Sequence, residues 1–139
     1  MLRTAILAAV ASAAFAVPAM AADISGLWQT ETNGGQVEIA RCGNSLCGKL
    51  VTSNTIKANP GVKDDKNKDA SLRNRPLKGL QLLWGFSGGP EEWTGGKVYK
   101  ADDGKIYSGT ITMLNADTLK LKGCVVAPLC KTQTWTRVK

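Results

Sequence analysis

Asp65-x-Asn67-x-Asp69 and Arg73-x-Arg75 are the residues of this chain whose types and spacing could do chemistry. Oxygen-bearing side chains at every second position can converge on a hard cation, and the first three ligands of a calcium loop have that spacing. The rest of such a loop is missing, because Ala70 stands where the sharp turn needs glycine and Pro76 where a bidentate Glu would close the shell. A turn in which Asp65, Asn67 and Asp69 cap backbone amides explains the same residues, so they are read as loop structure before calcium ligands, and no metal is expected. Arg73 and Arg75 share one face if the chain is extended, where each guanidinium can grip a carboxylate or phosphate through two bonds. They are nominated as ligand-binding residues, against the competing reading of an ion pair to a loop aspartate.

Catalytic chemistry finds little support. The chain has no histidine, the usual general acid or base near neutral pH. Glu91-Glu92 and Asp102-Asp103 are adjacent pairs, which an extended backbone points to opposite faces. The four cysteines, Cys42, Cys47, Cys124 and Cys130, read as disulfides in an exported chain, whereas a zinc site would have to be built from all four thiolates. Three pairings can be drawn, and Cys42 with Cys47 and Cys124 with Cys130 is preferred because each pair brackets a short turn. The chain is therefore expected to be non-enzymatic and to need no cofactor. Trp84, Phe86, Trp93, Tyr99, Tyr107 and Trp135 could line an apolar pocket or fill a core, and sequence alone does not separate the two.

The leader sets the compartment. Arg3 precedes the apolar, Ala-rich run from Ala5 to Val17, and Pro18 and the small residues Ala19-Met20-Ala21 follow, the layout of a signal peptide cleaved after Ala21. Its apolar run is shorter than the ~20 residues needed to span a bilayer, and no second such run follows. Residues 22–139 are expected to form one domain, periplasmic or secreted. Without Arg3 the 18 basic residues become 17 against 11 acids, a charge of +6. These cations are scattered from Arg41 to Lys139, which fits a solvated surface with a tendency toward anionic partners rather than a nucleic-acid footprint.

The elements that must position these residues are strands. Short β-rich or alternating runs are expected at 26–31, 37–42, 46–52, 80–86, 92–100, 105–114, 118–125 and 132–138. Leu119-Lys120-Leu121-Lys122 alternates most clearly, one face apolar and the other cationic. Turn residues such as Asn33-Gly34-Gly35, Gly43-Asn44-Ser45 and Asp102-Asp103-Gly104 join consecutive runs. Eight strands in up-and-down order leave two exposed edges unless the sheet closes, which predicts an all-β, eight-stranded antiparallel barrel. Residues 53–78 are polar and become a long loop between the third and fourth strands, lying over one mouth.

Gly26-x-Trp28 at the start and Arg137 at the end resemble the calycin, or lipocalin-like, pattern in which an arginine packs over a tryptophan and closes the base of the barrel. A guanidinium stacked on an indole gains about 0.5 to 2 kcal/mol, a physical reason for Trp28 and Arg137 to meet. Further motifs run along the chain: Cys42-Gly-Asn-Ser-Leu-Cys47-Gly-Lys49, Asp64-x-x-Asn67-x-Asp69-x-x-Leu72-Arg73-x-Arg75-Pro76-Leu77-x-Gly79, Trp93-x-Gly95-Gly96-x-Val98-Tyr99, Asp103-Gly104-Lys105-x-Tyr107, Leu121-x-Gly123-Cys124 and Gln133-x-Trp135-x-Arg137. With these motifs the sequence resembles, over nearly the whole mature chain, one exported bacterial family, the domain-of-unknown-function family 2147. Lys68 departs from the proline expected after Asn67. The resemblance implies a calycin-like barrel in the cell envelope and brings no activity with it.

Two functions follow. The first is a binding module holding a small apolar or amphiphilic ligand. The second is an interaction protein whose barrel is filled and which docks on another envelope protein or on the cell wall. Cavity volume separates them, since a ligand pocket needs about 300 Å³ or more of mostly apolar space.

Overall fold

The computed structural model describes residues 23–126 and 128–139. The expected leader, residues 1–21, lies outside the described residues. Eight strands, β1 (Gly26–Gln29), β2 (Gln36–Cys42), β3 (Ser45–Thr52), β4 (Gln81–Gly88), β5 (Glu92–Lys100), β6 (Lys105–Asn115), β7 (Thr118–Val126) and β8 (Leu129–Arg137), follow one another around a closed antiparallel barrel. Trp28 opposite Arg137 and Gln29 opposite Thr136 join β1 to β8 and complete the closure. Alternation decides which side chains enter: Leu119 and Leu121 are buried while Lys120 and Lys122 between them are exposed.

Most strand ends fall within one residue of the expectation, and the larger differences are the ends of β1 and β4 and the start of β8. β1 stops at Gln29 because the Thr30 and Gly35 amides donate to the Gly35 and Thr32 carbonyls and close the turn there. β8 begins at Leu129, three residues before the expected Thr132, because Cys124 and Cys130 are direct partners in the β7–β8 ladder and pairing continues to Val126 and Leu129. Cys42 bonds to Cys47 and Cys124 to Cys130, one clamp on the β2–β3 hairpin and one on the β7–β8 hairpin at the opposite end of the barrel.

Strict up-and-down order puts the β1–β2, β3–β4, β5–β6 and β7–β8 connections at one end. At the other end Trp28, Ile39, Phe86, Ile111 and Leu119 are almost wholly buried and fill the barrel. The Phe86 ring fits because Gly96 faces it: a Cβ at that position would come within 2.3 Å of the ring. The base is sealed by Arg137, whose guanidinium lies 4.5 Å from the Trp28 ring centroid and donates to the carbonyls of Ala116, Ser25 and Asp23.

Residues 53–78, expected as an unbroken polar loop, contain a short helix α1 (Asn54–Ala58) and a 3-10 turn (Ala70–Leu72). The Ser53 hydroxyl caps α1 by accepting from the Ile56 amide, and Ile56 is buried against the core. Five residues are too few for a 3.6-residue period to show in the sequence. Lys63 then bridges to Pro76, so the segment doubles back on itself as a flap.

Candidate functional site

The upper half of the barrel is hollow. A cavity of about 420 Å³ opens at the end where the long connection lies. Val37, Leu50, Leu83, Val98, Leu121 and Trp135 line its walls, so its surface is predominantly apolar. Of the aromatic residues singled out in the sequence, Tyr99, Tyr107 and Trp135 line it while Phe86 plugs the barrel below. Each buried side-chain nitrogen or oxygen among the described residues already has a hydrogen-bond partner. Trp135 donates to Gln133, which in turn donates to Thr32 across the mouth. The interior therefore offers an occupant apolar contact and no orphaned polar group.

Polar recognition is confined to the rim. Lys63, Asp65, Lys66, Lys100, Asp102 and Lys131 surround the mouth. Lys100 pairs with Asp102 at 3.4 Å, and Lys63, Lys66 and Lys131 make no ion pair among the described residues. Three solvated ammonium groups at the edge of an apolar cavity attract a negative charge held at the surface.

The flap that forms one side of the mouth is fastened by Asp64, which is 1 % exposed. Its Oδ2 accepts from Asn67 Nδ2 at 2.8 Å and from Arg75 Nε at 2.9 Å, while Oδ1 accepts from the Tyr99 hydroxyl on β5. The Arg75 guanidinium also lies 5.3 Å from the Tyr99 ring centroid. A second point of attachment is Gly104, at φ +70°, where a Cβ would collide with the Lys66 carbonyl at 1.8 Å. Only glycine lets the flap lie this close to the β5–β6 turn.

The residues nominated from sequence take up places along this flap. Arg75 Nε is directed to Asp64 and Arg73 Nε donates to the Asn67 carbonyl at 2.8 Å, and neither arginine lines the cavity. Asn67 joins Asp64 to the Asp69 amide, and the Asp69 Oδ1 accepts from both the amide and the hydroxyl of Ser71. Those Ser71 donors hold the Asp69 carboxyl below its ordinary pKa. Asp65 stands at the rim of the cavity. Asp64 was not singled out in the sequence, although it heads the Asp64-x-x-Asn67-x-Asp69 motif. The signal for it is combinatorial: a long loop needs one buried anchor, and Asp64 acquires that role only with Arg75 and Tyr99 beside it.

Tyr99 and Tyr107, the chain's two tyrosines, both donate to carboxylates at this end. Burial, reinforced by the bond to Asp64, pushes the Tyr99 pKa upward. The bond to Asp103, with burial second, pushes Tyr107 up to about 12. Burial pushes Asp103 upward too, but the Tyr107 hydroxyl and the Lys105 amide outweigh it and its carboxyl sits below the usual value. A raised tyrosine pKa gives stability that is complete below 10.0 and disappears as pH rises toward 12. In a spectroscopic alkaline titration the folded protein is thus expected to show almost no tyrosinate at pH 10, and Tyr107→Phe to flatten the loss of stability between pH 10 and 12. Ordinary ionisation of both tyrosines near pH 10 would contradict these contacts.

Residues 26–137 match the family model described as uncharacterized protein conserved in bacteria (DUF2147). A solved structure, protein HP1028 from the human pathogen Helicobacter pylori, described as belonging to the lipocalin family, is similar over 85% of this chain and 84% of its own, with 24% identity and a TM-score of 0.76. At that identity the likeness is one of fold. No curated protein matches the chain.

Proposed function

The chain belongs to the DUF2147 family of uncharacterized bacterial proteins and has a lipocalin-like barrel, and from that premise we propose that it is a non-enzymatic carrier of a small amphiphile with an apolar body and an acidic head. The observation that carries this reading is the cavity of about 420 Å³, above the roughly 300 Å³ that a small-molecule pocket requires. A filled barrel would leave only water-sized voids. The apolar walls accept the body, and Lys63, Lys66 and Lys131 at the rim meet the head while it stays in water. Asp64, Arg73 and Arg75 fasten the flap that shapes the mouth. The leader and the paired cysteines support a periplasmic or secreted location, where a carrier can take ligand from the envelope.

Titration with a fluorescent fatty acid tests this. The protein is expected to bind it with blue-shifted emission, and Leu83→Trp, which puts an indole into the cavity, to abolish binding while leaving the barrel folded. Replacing Lys63, Lys66 and Lys131 together by Gln should weaken binding by about tenfold at low salt and by less at high salt, where exposed charges are screened. Binding that survives Leu83→Trp unchanged would place the fatty acid elsewhere, and the cavity would lose its assignment.

A further inference from the structure

The four most exposed large apolar side chains among the described residues lie in one place: Leu129 (71 %), Val126 (65 %), Val125 (56 %) and Ile106 (56 %). Val125, Val126 and Leu129 form the tip of the β7–β8 hairpin, clamped by the Cys124–Cys130 disulfide just below it. Ser108 pairs with Cys124, and Ile106 lies two residues beyond Ser108 on β6, toward the same end of the barrel. On the other side β1 has four residues against nine in β8, and their ladder reaches only to Thr136, so the tip stands clear of β1. Lys105 and Lys131 flank the apolar residues, and both are exposed.

We propose that this disulfide-clamped tip is a membrane-docking element, which inserts Val125, Val126, Leu129 and Ile106 into the interface of a bilayer with anionic headgroups, Lys105 and Lys131 contacting those headgroups. Apolar side chains that protrude into water are retained where they have something to enter. A stable protein partner needs about 800 Å² of matched surface on each side, more than four side chains on a hairpin end provide, whereas a bilayer asks for no shape complementarity. The cations supply attraction to negative lipid, and the tip carries no carboxylate between Cys124 and Lys131. The disulfide holds the two strands together before insertion, so little conformational freedom remains to be lost on docking. Val125, Val126, Leu129, Ile106 and Lys105 lie outside the cavity lining, and only Lys131 is shared with the rim, so the inference holds whether or not the cavity carries a ligand.

Vesicle co-sedimentation of the chain after removal of its leader, whose own apolar run would partition, tests the proposal. The protein is expected to bind phosphatidylcholine vesicles that contain phosphatidylglycerol, to bind phosphatidylcholine alone more weakly, and to be released by salt. Val126→Ser combined with Leu129→Ser should lower partitioning by about tenfold or more, and Lys105→Gln should lower it on anionic vesicles only. Leu114→Ser, an exposed apolar residue on β6 at the opposite end, is the control and should bind as the parent does. All four positions are exposed, and thermal melts of the variants confirm that each is folded. No binding to anionic vesicles, or equal binding by the parent and the Val126→Ser, Leu129→Ser variant, would overturn the proposal. So would a co-purifying protein whose capture, unlike vesicle binding, depends on Val126 and Leu129.

Discussion

Asp64→Ala is expected to destabilise the protein by about 3 kcal/mol, the low end of the range for removing one partner of a buried ion pair. The substitution strips the acceptor from three donors at once, Asn67, Arg75 and the Tyr99 hydroxyl. Arg75 keeps about a third of its side chain in water, which tempers the cost of leaving it unpaired. Chemical denaturation supplies the magnitude, and amide exchange locates it: protection should fall first between Lys63 and Pro76, where the flap is zipped, and last in β6 and β7. Asp64→Asn keeps the shape and one acceptor oxygen and should cost roughly half as much. A loss below about 1 kcal/mol for Asp64→Ala would mean that the flap is held by something other than this carboxylate.

Trp28→Ala is expected to cost about 3 to 5 kcal/mol, as for a large aromatic removed from a packed core. Trp28 is fully buried and its indole NH donates to the Ile24 carbonyl at 2.9 Å, which ties the chain before β1 to the base. Arg137→Ala should cost less, since its bonds go to carbonyls that water can reach. The two effects should not add: a double-mutant cycle is expected to return a coupling above about 0.5 kcal/mol, as for residues in contact. Coupling within error of zero would remove the physical basis for the barrel's closure at this end.

The barrel was legible in the sequence because its information is local. Leu119-Lys120-Leu121-Lys122 shows its two faces directly, and glycine-bearing turns such as Asn33-Gly34-Gly35 leave little choice about which strands are neighbours. Gly26-x-Trp28 and Arg137 were legible through resemblance, and the structure puts them in contact. The interior of the flap was not. Asp65-x-Asn67-x-Asp69 draws the eye by its alternation, yet the buried carboxylate is Asp64 one place earlier, on the Lys63–Pro76 bridge and bonded to Tyr99, 35 residues away. Pairings that distant exist only once the barrel has formed, and no local spacing encodes them. For the same reason the rim lysines gave no signal: Lys63, Lys66 and Lys131 are three among 18 basic residues until the strands carry them to one mouth. Whether the aromatic residues line or fill the barrel was likewise decided by tertiary position, Trp135 facing the cavity and Phe86 the core beneath it.

The claim that the cavity is a carrier site is tested most directly by native mass spectrometry of the protein purified under mild conditions from its own host. A second species is expected, heavier than the apo chain by the mass of one small amphiphile, which organic solvent extracts and which ionises as an acid, and which is missing from the Leu83→Trp variant. A single apo mass from that host, in a preparation that also ignores added fatty acid, would contradict it.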